Sequence, residues 1–234
     1  MKLLFIYPHP DDESFGPASL MHKYARNGNE VYLLTLTKGG ATKIRFELNL
    51  SIEEMGKVRA KEMEKVKDVL KLSGMTILDL PDSGLKELDP RIIEDEIEKE
   101  INKIEPNFIV TYPLHGISGF DDHLVTHAVV KRVYCKMKSK NNFLKRLAFI
   151  SLNEEQASRS NHFSLFPSKT GEIDCIEEVE QIDIQKQIEA LDCYKTYSSV
   201  INKSGVKNII DKKICFEFFG ENFTPPVNSL IAGI

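Results

Sequence analysis

The chain has 234 residues, 41% of them apolar and 28% charged, with a formal net charge of -4. That length suffices for one sizeable α/β domain with a full core, and the charge balance excludes a basic face for nucleic acid. No apolar run approaches the ~20 residues of a membrane span, and no basic, cleavable leader precedes the first strand, so a cytoplasmic protein is expected.

Lys2–Tyr7 reads as a buried strand. Gly16–Asn27 reads as a helix closed by Gly28, and Glu30–Leu36 as a second strand ending in the turn Thr37-Lys38-Gly39-Gly40. Ser51–Ser73 is a long charged helix: Ser51 and Glu54 form a capping box, and Gly74 stops it. Thr76–Leu80 is a third strand. In the helix Pro90–Ile104, Ile92, Ile93, Ile97, Ile101 and Ile104 are expected along one face. Asn107–Tyr112 is a fourth strand, Asp122–Met137 a helix and Arg146–Leu152 a fifth strand.

This alternation predicts an α/β fold with a largely parallel sheet and helices on both faces. Residues 1–152 form the core and 153–234 a C-terminal elaboration on the same domain. The elaboration contains a strand at Glu172–Ile176, a helix at Ile182–Tyr197, a late strand at Lys213–Phe219, and a mobile loop at Ser158–Gly171. Cys135, Cys175, Cys193 and Cys215 show no CxxC spacing and read as buried free thiols.

The segment Tyr7-Pro8-His9-Pro10-Asp11-Asp12-Glu13 crowds one histidine and three carboxylates at the end of the first strand. A divalent cation offsets such crowding, and zinc accepts His with Asp. In strand order 3-2-1-4-5 the first and fourth strands are neighbours, and the ligand crevice opens where their connections part. The fourth strand ends at Tyr112, followed by His115 and His123, so two histidine-bearing loops meet at the crevice although about 110 residues separate them. His9 and Asp12 are three apart; His123 and His127 share one helical face. A local pair plus one distant histidine gives three ligands and leaves a position for water. The competing reading makes His9 and Asp12 a helix cap and His123 a surface residue. The two halves falling on adjacent strand ends favour the metal. Either of Asp11 and Asp12 is near enough to His9 to bind it, and the other then acts as base on the bound water.

Pro8-His9-Pro10-Asp11-Asp12-Glu13 with Gly16 resembles the signature of the PIG-L/LmbE-like zinc-dependent N-deacetylases. Thr37-Lys38-Gly39-Gly40, Arg59-Ala60-Lys61-Glu62 and Pro81-Asp82-Ser83-Gly84 are similar to further family blocks, and the resemblance covers roughly residues 1–135. It implies a Rossmann-like fold and removal of acetyl from N-acetylglucosamine conjugates, among them glucosaminyl-inositol, glucosaminyl-malate and glucosaminyl-phosphatidylinositol. By the same resemblance His9, Asp12 and His123 are the zinc ligands, Asp11 is the general base and Arg59 contacts substrate. Iron is tolerated by such a ligand set as well. The family often forms oligomers, so a homo-oligomer is an expectation too.

Two blocks depart from the family. Phe120-Asp121-Asp122-His123 stands where the family has His-Pro-Asp-His, so Phe120 replaces a histidine associated with acid or oxyanion duty. His115 and His127 are the candidate substitutes; alternatively Asp11 both takes and returns the proton. Tyr194 and Tyr197 stand where a C-terminal family block carries His and Gln.

For the other residues composition gives plainer readings. Arg59 belongs to a solvated charged face, Asp82 is a turn residue, Glu13 has a structural role, and His22 and His162 are structural or exposed. There is no GxSxG elbow, no GxxxxGK[ST] and no GxGxxG, so serine hydrolase and nucleotide chemistry are set aside. The expected activity is metal-dependent hydrolysis of an N-acetylated sugar conjugate. The alternatives are a non-sugar amide as substrate, or a metal- and sugar-binding protein with weak turnover.

Overall fold

The structure is a computed structural model that describes residues 1–234. The elements run β1 (Lys2–Tyr7), α1 (Asp12–Phe15), α2 (Ala18–Arg26), β2 (Glu30–Thr37), α3 (Ile44–Glu47), α4 (Ile52–Leu70), β3 (Gly74–Leu80), α5 (Pro90–Ile104) and β4 (Phe108–Thr111). They continue with α6 (Asp121–Lys138), β5 (Arg146–Ser151), α7 (Glu154–Ser158), β6 (Cys175–Glu178), α8 (Gln181–Cys193), α9 (Ser198–Ser204) and β7 (Lys213–Phe218). The strands make one sheet in the order β3-β2-β1-β4-β5-β7-β6. The first five are parallel, and β7 and β6 add antiparallel to that edge. The expected α/β architecture is therefore present, with β1 and β4 side by side.

Burial follows strand parity. Leu3, Phe5 and Tyr7 point into the core shared with α2, α4 and α8, whereas Leu4 and Ile6 point into the core under α5 and α6. Both faces are buried, which is why β1 reads as a continuous apolar run. On α5 the stripe is Ile93, Ile97, Ile101 and Ile104. Ile92 is 49% exposed, because it lies about 100° off that stripe.

Several boundaries differ from expectation. The capping box of Ser51 and Glu54 forms, but α4 ends at Lys71, in the left-handed conformation, and Gly74 already begins β3. The helix expected from Gly16 starts at Ala18, after the separate turn α1. The sixth strand lies later, at Cys175–Glu178, with Thr170–Glu172 forming a 3-10 turn. α8 stops at Cys193, and Lys195–Tyr197 is a separate 3-10 turn. In the loop before β6, Phe166 N donates to Ile117 O at 2.7 Å and Ser168 N to Leu152 O at 2.8 Å. All four cysteines are free, but Cys135 is exposed and Cys193 half-buried; only Cys175 and Cys215 are buried. No helix is long and apolar enough to cross a membrane.

Candidate metal centre

The chain leaves β1 through Pro8-His9-Pro10 and turns at Asp11, whose φ of 91° is left-handed. For a residue other than glycine that conformation costs on the order of 1–2 kcal/mol. The turn is held by Ser14 N and Phe15 N, which donate to Asp11 O at 2.9 and 2.8 Å. It sets His9, Asp11 and Asp12 on the wall of one cavity at the carboxyl ends of β1 and β4. From β4, the loop after Tyr112 and the first turn of α6 bring His123 to the same wall.

His9, Asp12 and His123 each offer a ligand atom, and these atoms lie within 4.8 Å of one another. His9 Nδ1 is 3.5 Å from Asp12 Oδ2, and His123 Nε2 is 3.4 Å from Asp12 Oδ1. The remaining ring nitrogens are occupied from behind. His123 Nδ1 donates to Gly116 O at 2.9 Å, and His9 Nε2 donates to Asp122 Oδ2 at 3.0 Å. These hydrogen bonds leave His9 Nδ1 and His123 Nε2 as the nitrogens that face Asp12, the ones that would ligate a cation once it displaces any proton they carry. Carboxylates and carbonyls behind ligating histidines are the usual support of a metal site. Asp12 is oriented in turn: His9 N donates to Oδ2 and Tyr112 OH to Oδ1, each at 2.8 Å. Tyr112 also stacks on the His123 ring, with centroids 4.1 Å apart.

The electrostatics favour a cation. Burial works to lower the His9 pKa, but hydrogen bonds to Asp12 and Asp122, with Asp82 nearby, hold it up at about 10. Burial works to raise the Asp12 pKa, and the two histidines overcome it, leaving that carboxyl well below its usual range. Asp11, Asp12, Asp82 and Asp122 gather around His9, with Arg59 as the compensating guanidinium. Two imidazole nitrogens and a carboxylate in a negative pocket, open to a cavity, form a donor set that fits zinc with a free position. His9, Asp82 and Asp122 form a second cluster of metal-ligating types. It shares His9 with the first and uses the ring nitrogen that hydrogen-bonds Asp122.

Arg59 is 3% exposed, so the charged-face reading of its helix does not hold at this position. Its side chain reaches across the end of the sheet. Nη2 donates to Asp11 Oδ2 and to Pro10 O, both at 2.6 Å, and Nη1 to Gly39 O at 3.2 Å. Its guanidinium carbon lies 4.7 Å from the centroid of the Tyr197 ring. Gly39, with φ +64°, is required here, because a Cβ would meet Arg59 Nη1 at 2.9 Å and Pro10 Cδ at 2.8 Å. Burial raises the Asp11 carboxyl to about 6, against the pull of Arg59.

Phe120 sits at the N-terminus of α6, 53% exposed, edge-on to His123 with centroids 5.5 Å apart. It lines the cavity; His115 and His127 do not. His115 Nε2 donates to Ser168 Oγ at 3.1 Å, and its Nδ1 accepts from Ile117 N at 3.2 Å. His127 Nδ1 donates to Tyr112 O at 2.9 Å, and its ring packs on Phe149. Burial lowers the pKa of both. Glu13 is fully buried and accepts from Ser14 Oγ at 2.6 Å and Tyr194 OH at 2.7 Å. Burial lifts its carboxyl to about 7, although those hydroxyls pull the other way.

Three residues matter here that sequence reasoning missed or under-read. Asp82, read as a turn residue, lines the cavity 3.4 Å from His9 Nε2 while it accepts Ala41 N at 2.6 Å. Asp122 accepts from Ser83 N at 2.8 Å and Leu85 N at 3.1 Å as well as from His9. Tyr112 joins the two ligand loops. The only sequence signal for Asp122 was its place beside His123.

A model of the family described as "GlcNAc-PI de-N-acetylase" (PIG-L) matches residues 4–134. A mycothiol S-conjugate amidase of Streptomyces coelicolor is 33% identical over 147 residues, covering 55% of this chain and 50% of that protein. A probable N-acetyl-alpha-D-glucosaminyl L-malate deacetylase of Bacillus subtilis is 29% identical over 138 residues, covering 58% and 62%. The chain thus spans about half the length of the first of these relatives. Among solved structures, a deacetylase of the teicoplanin biosynthesis pathway superposes with a TM-score of 0.73 at 14% identity, over 93% of this chain and 97% of that one. The N,N'-diacetylchitobiose deacetylase of Pyrococcus horikoshii gives 0.66 at 17% identity, over 93% and 83%. The structural neighbours show the same fold. The family match covers more than half of the sequence and includes both halves of the His9, Asp12 and His123 cluster, and the chain belongs to the PIG-L family.

Proposed function

We propose that this chain is a zinc-dependent N-deacetylase acting on a glucosamine-type conjugate, with residues 1–234 as one domain. The observation that carries the reading is the convergence of His9 Nδ1, Asp12 and His123 Nε2 beside Asp11 on one cavity wall. The names of the relatives supply the substrate class. A metal held by those three residues supplies an acidified water and a polarised acyl carbonyl. Asp11 is the proton carrier: Arg59 fixes its Oδ2, while its Oδ1 has no hydrogen-bond partner within the protein. Its carboxyl, lifted to about 6, takes the proton of the attacking water and returns it to the leaving amine. Tyr112 and Asp122 keep the ligands in place. Phe120 shields the His123 ring and donates no proton.

Purified protein loaded with zinc should release acetate from N-acetylglucosamine conjugates. Tight sugar binding without acetate release would overturn the reading. It would favour a metal- and sugar-binding protein instead, the alternative that Phe120 at the rim supports.

A further inference from the structure

The cavity extends well past the metal cluster. Its volume is about 870 Å³, toward the upper end of small-molecule sites. From the end of β5 onward its wall is largely apolar. Leu152, Phe163, Leu165, Val200 and Ile209 line it, are half-buried, and belong to neither hydrophobic core. Single apolar side chains facing water need no explanation, but five on one cavity wall mark a binding surface.

Several polar groups on this stretch are engaged with the protein itself. Gln156 Nε2 donates to Lys213 O at 2.7 Å, and its Oε1 accepts from Asn153 N at 3.1 Å. Asp211 is paired with Arg159 at 2.6 Å, and Ser160 Oγ donates to Phe163 O at 2.9 Å. The exceptions are Ser19 Oγ, buried and without a partner, the exposed His162 ring, and the exposed Lys213 ammonium, 4.0 Å from Glu178. Such a wall gives a hydroxyl-rich or anionic group few hydrogen bonds and leaves an apolar one well covered. The residues that make it lie outside 4–134, the part that matches the family, except Phe15 and Ser19 at its inner end.

We propose that the substrate of this chain carries an apolar alkyl, acyl or aryl group seated in this arm. The proposal rests on the N-deacetylase reading above. The group has two positions available on a glucosamine conjugate, the acyl chain of the amide or the aglycone, and both present the same chemistry to the wall.

The test uses the full chain loaded with zinc. Octyl and methyl glucosaminide, which have no amide to cleave, are compared by calorimetry. Methyl N-octanoyl- and methyl N-acetylglucosaminide are compared by kcat/KM. The expected result is a gain of at least ~10-fold for the octyl partner in one of the two comparisons. A gain in binding identifies the aglycone, and a gain in kcat/KM the acyl chain. Ile209→Asn and, independently, Leu165→Asn should remove that gain while circular dichroism stays unchanged. Less than a threefold difference in both comparisons would overturn the proposal. Acetate released from the methyl N-acetyl compound in that case would leave the deacetylase reading standing. Selective octyl binding without any amide cleavage would support the arm and overturn the activity.

Discussion

Arg59 Nη2 donates at 2.6 Å to both Asp11 Oδ2 and the carbonyl of Pro10, so one guanidinium holds the side chain and the backbone of the strained turn together. If its task is to orient Asp11, Arg59→Met should lower kcat by about 10²-fold with KM little changed, since small misplacements of a reacting group are that costly. Arg59→Lys should recover only part, because an ammonium cannot grip Pro10, Asp11 and Gly39 at once. A raised KM with normal kcat would instead make Arg59 a substrate contact.

Asp122 carries a second expectation. Asp122→Asn keeps the shape but weakens the acceptor behind His9. Metal affinity should fall about 10–100-fold, measured by competition with a chromophoric chelator. Unchanged affinity would show that His9 holds its orientation without this carboxylate.

The vacancy of an imidazole at position 120 is testable in both directions. His115 lies off the cavity wall with both ring nitrogens engaged, so His115→Ala should leave kcat nearly unchanged, and Phe120→His should raise it. A fall of ~10²–10³ in His115→Ala would assign that histidine the oxyanion or acid role.

Glu13 gives a pH signature. Its carboxyl is lifted from 4.5 to about 7 in the folded chain, so the folded state holds the proton more tightly than the unfolded one. Stability from this group is therefore greatest below pH 4.5 and declines as pH rises toward 7. Glu13→Gln removes the dependence. In chelator-treated protein, the Tm of the variant relative to the parent should climb between those pH values, by an amount equivalent to 1 kcal/mol or more, about one pKa unit. A constant difference would place the carboxyl near its ordinary pKa.

Much of the fold was legible because β1, β2, β4 and β5 are buried on both faces and so read as apolar runs between capped helices. Boundaries slipped after Ser151, where β6 and β7 pair antiparallel and short turns break the helices. The meeting of the His9 loop with His123 was legible from spacing joined to topology, whereas the choice of Asp12 over Asp11 came only from the family resemblance. Arg59 was picked out only by the family resemblance, and Asp82 was read as a turn residue. An arginine on a charged helix looks solvated until the end of the sheet is known, and Pro-Asp-Ser-Gly is a satisfactory turn whether or not its aspartate also faces a histidine 73 positions earlier.

The candidate ligands are divided between the ends of β1 and β4, which are neighbours through Leu3–Phe108, Leu4–Ile109 and Phe5–Val110. No segment of the chain holds a complete site by itself. During synthesis the site cannot exist until the first turn of α6 has emerged and β4 has docked beside β1. Contacts between such distant segments form slowly compared with local ones. Metal loading at this candidate site would therefore be a late event, and its occupancy would report that the middle of the sheet has closed. A chain stalled before β4 docks keeps His9 and Asp12 as a weak, local pair, with nothing to complete it.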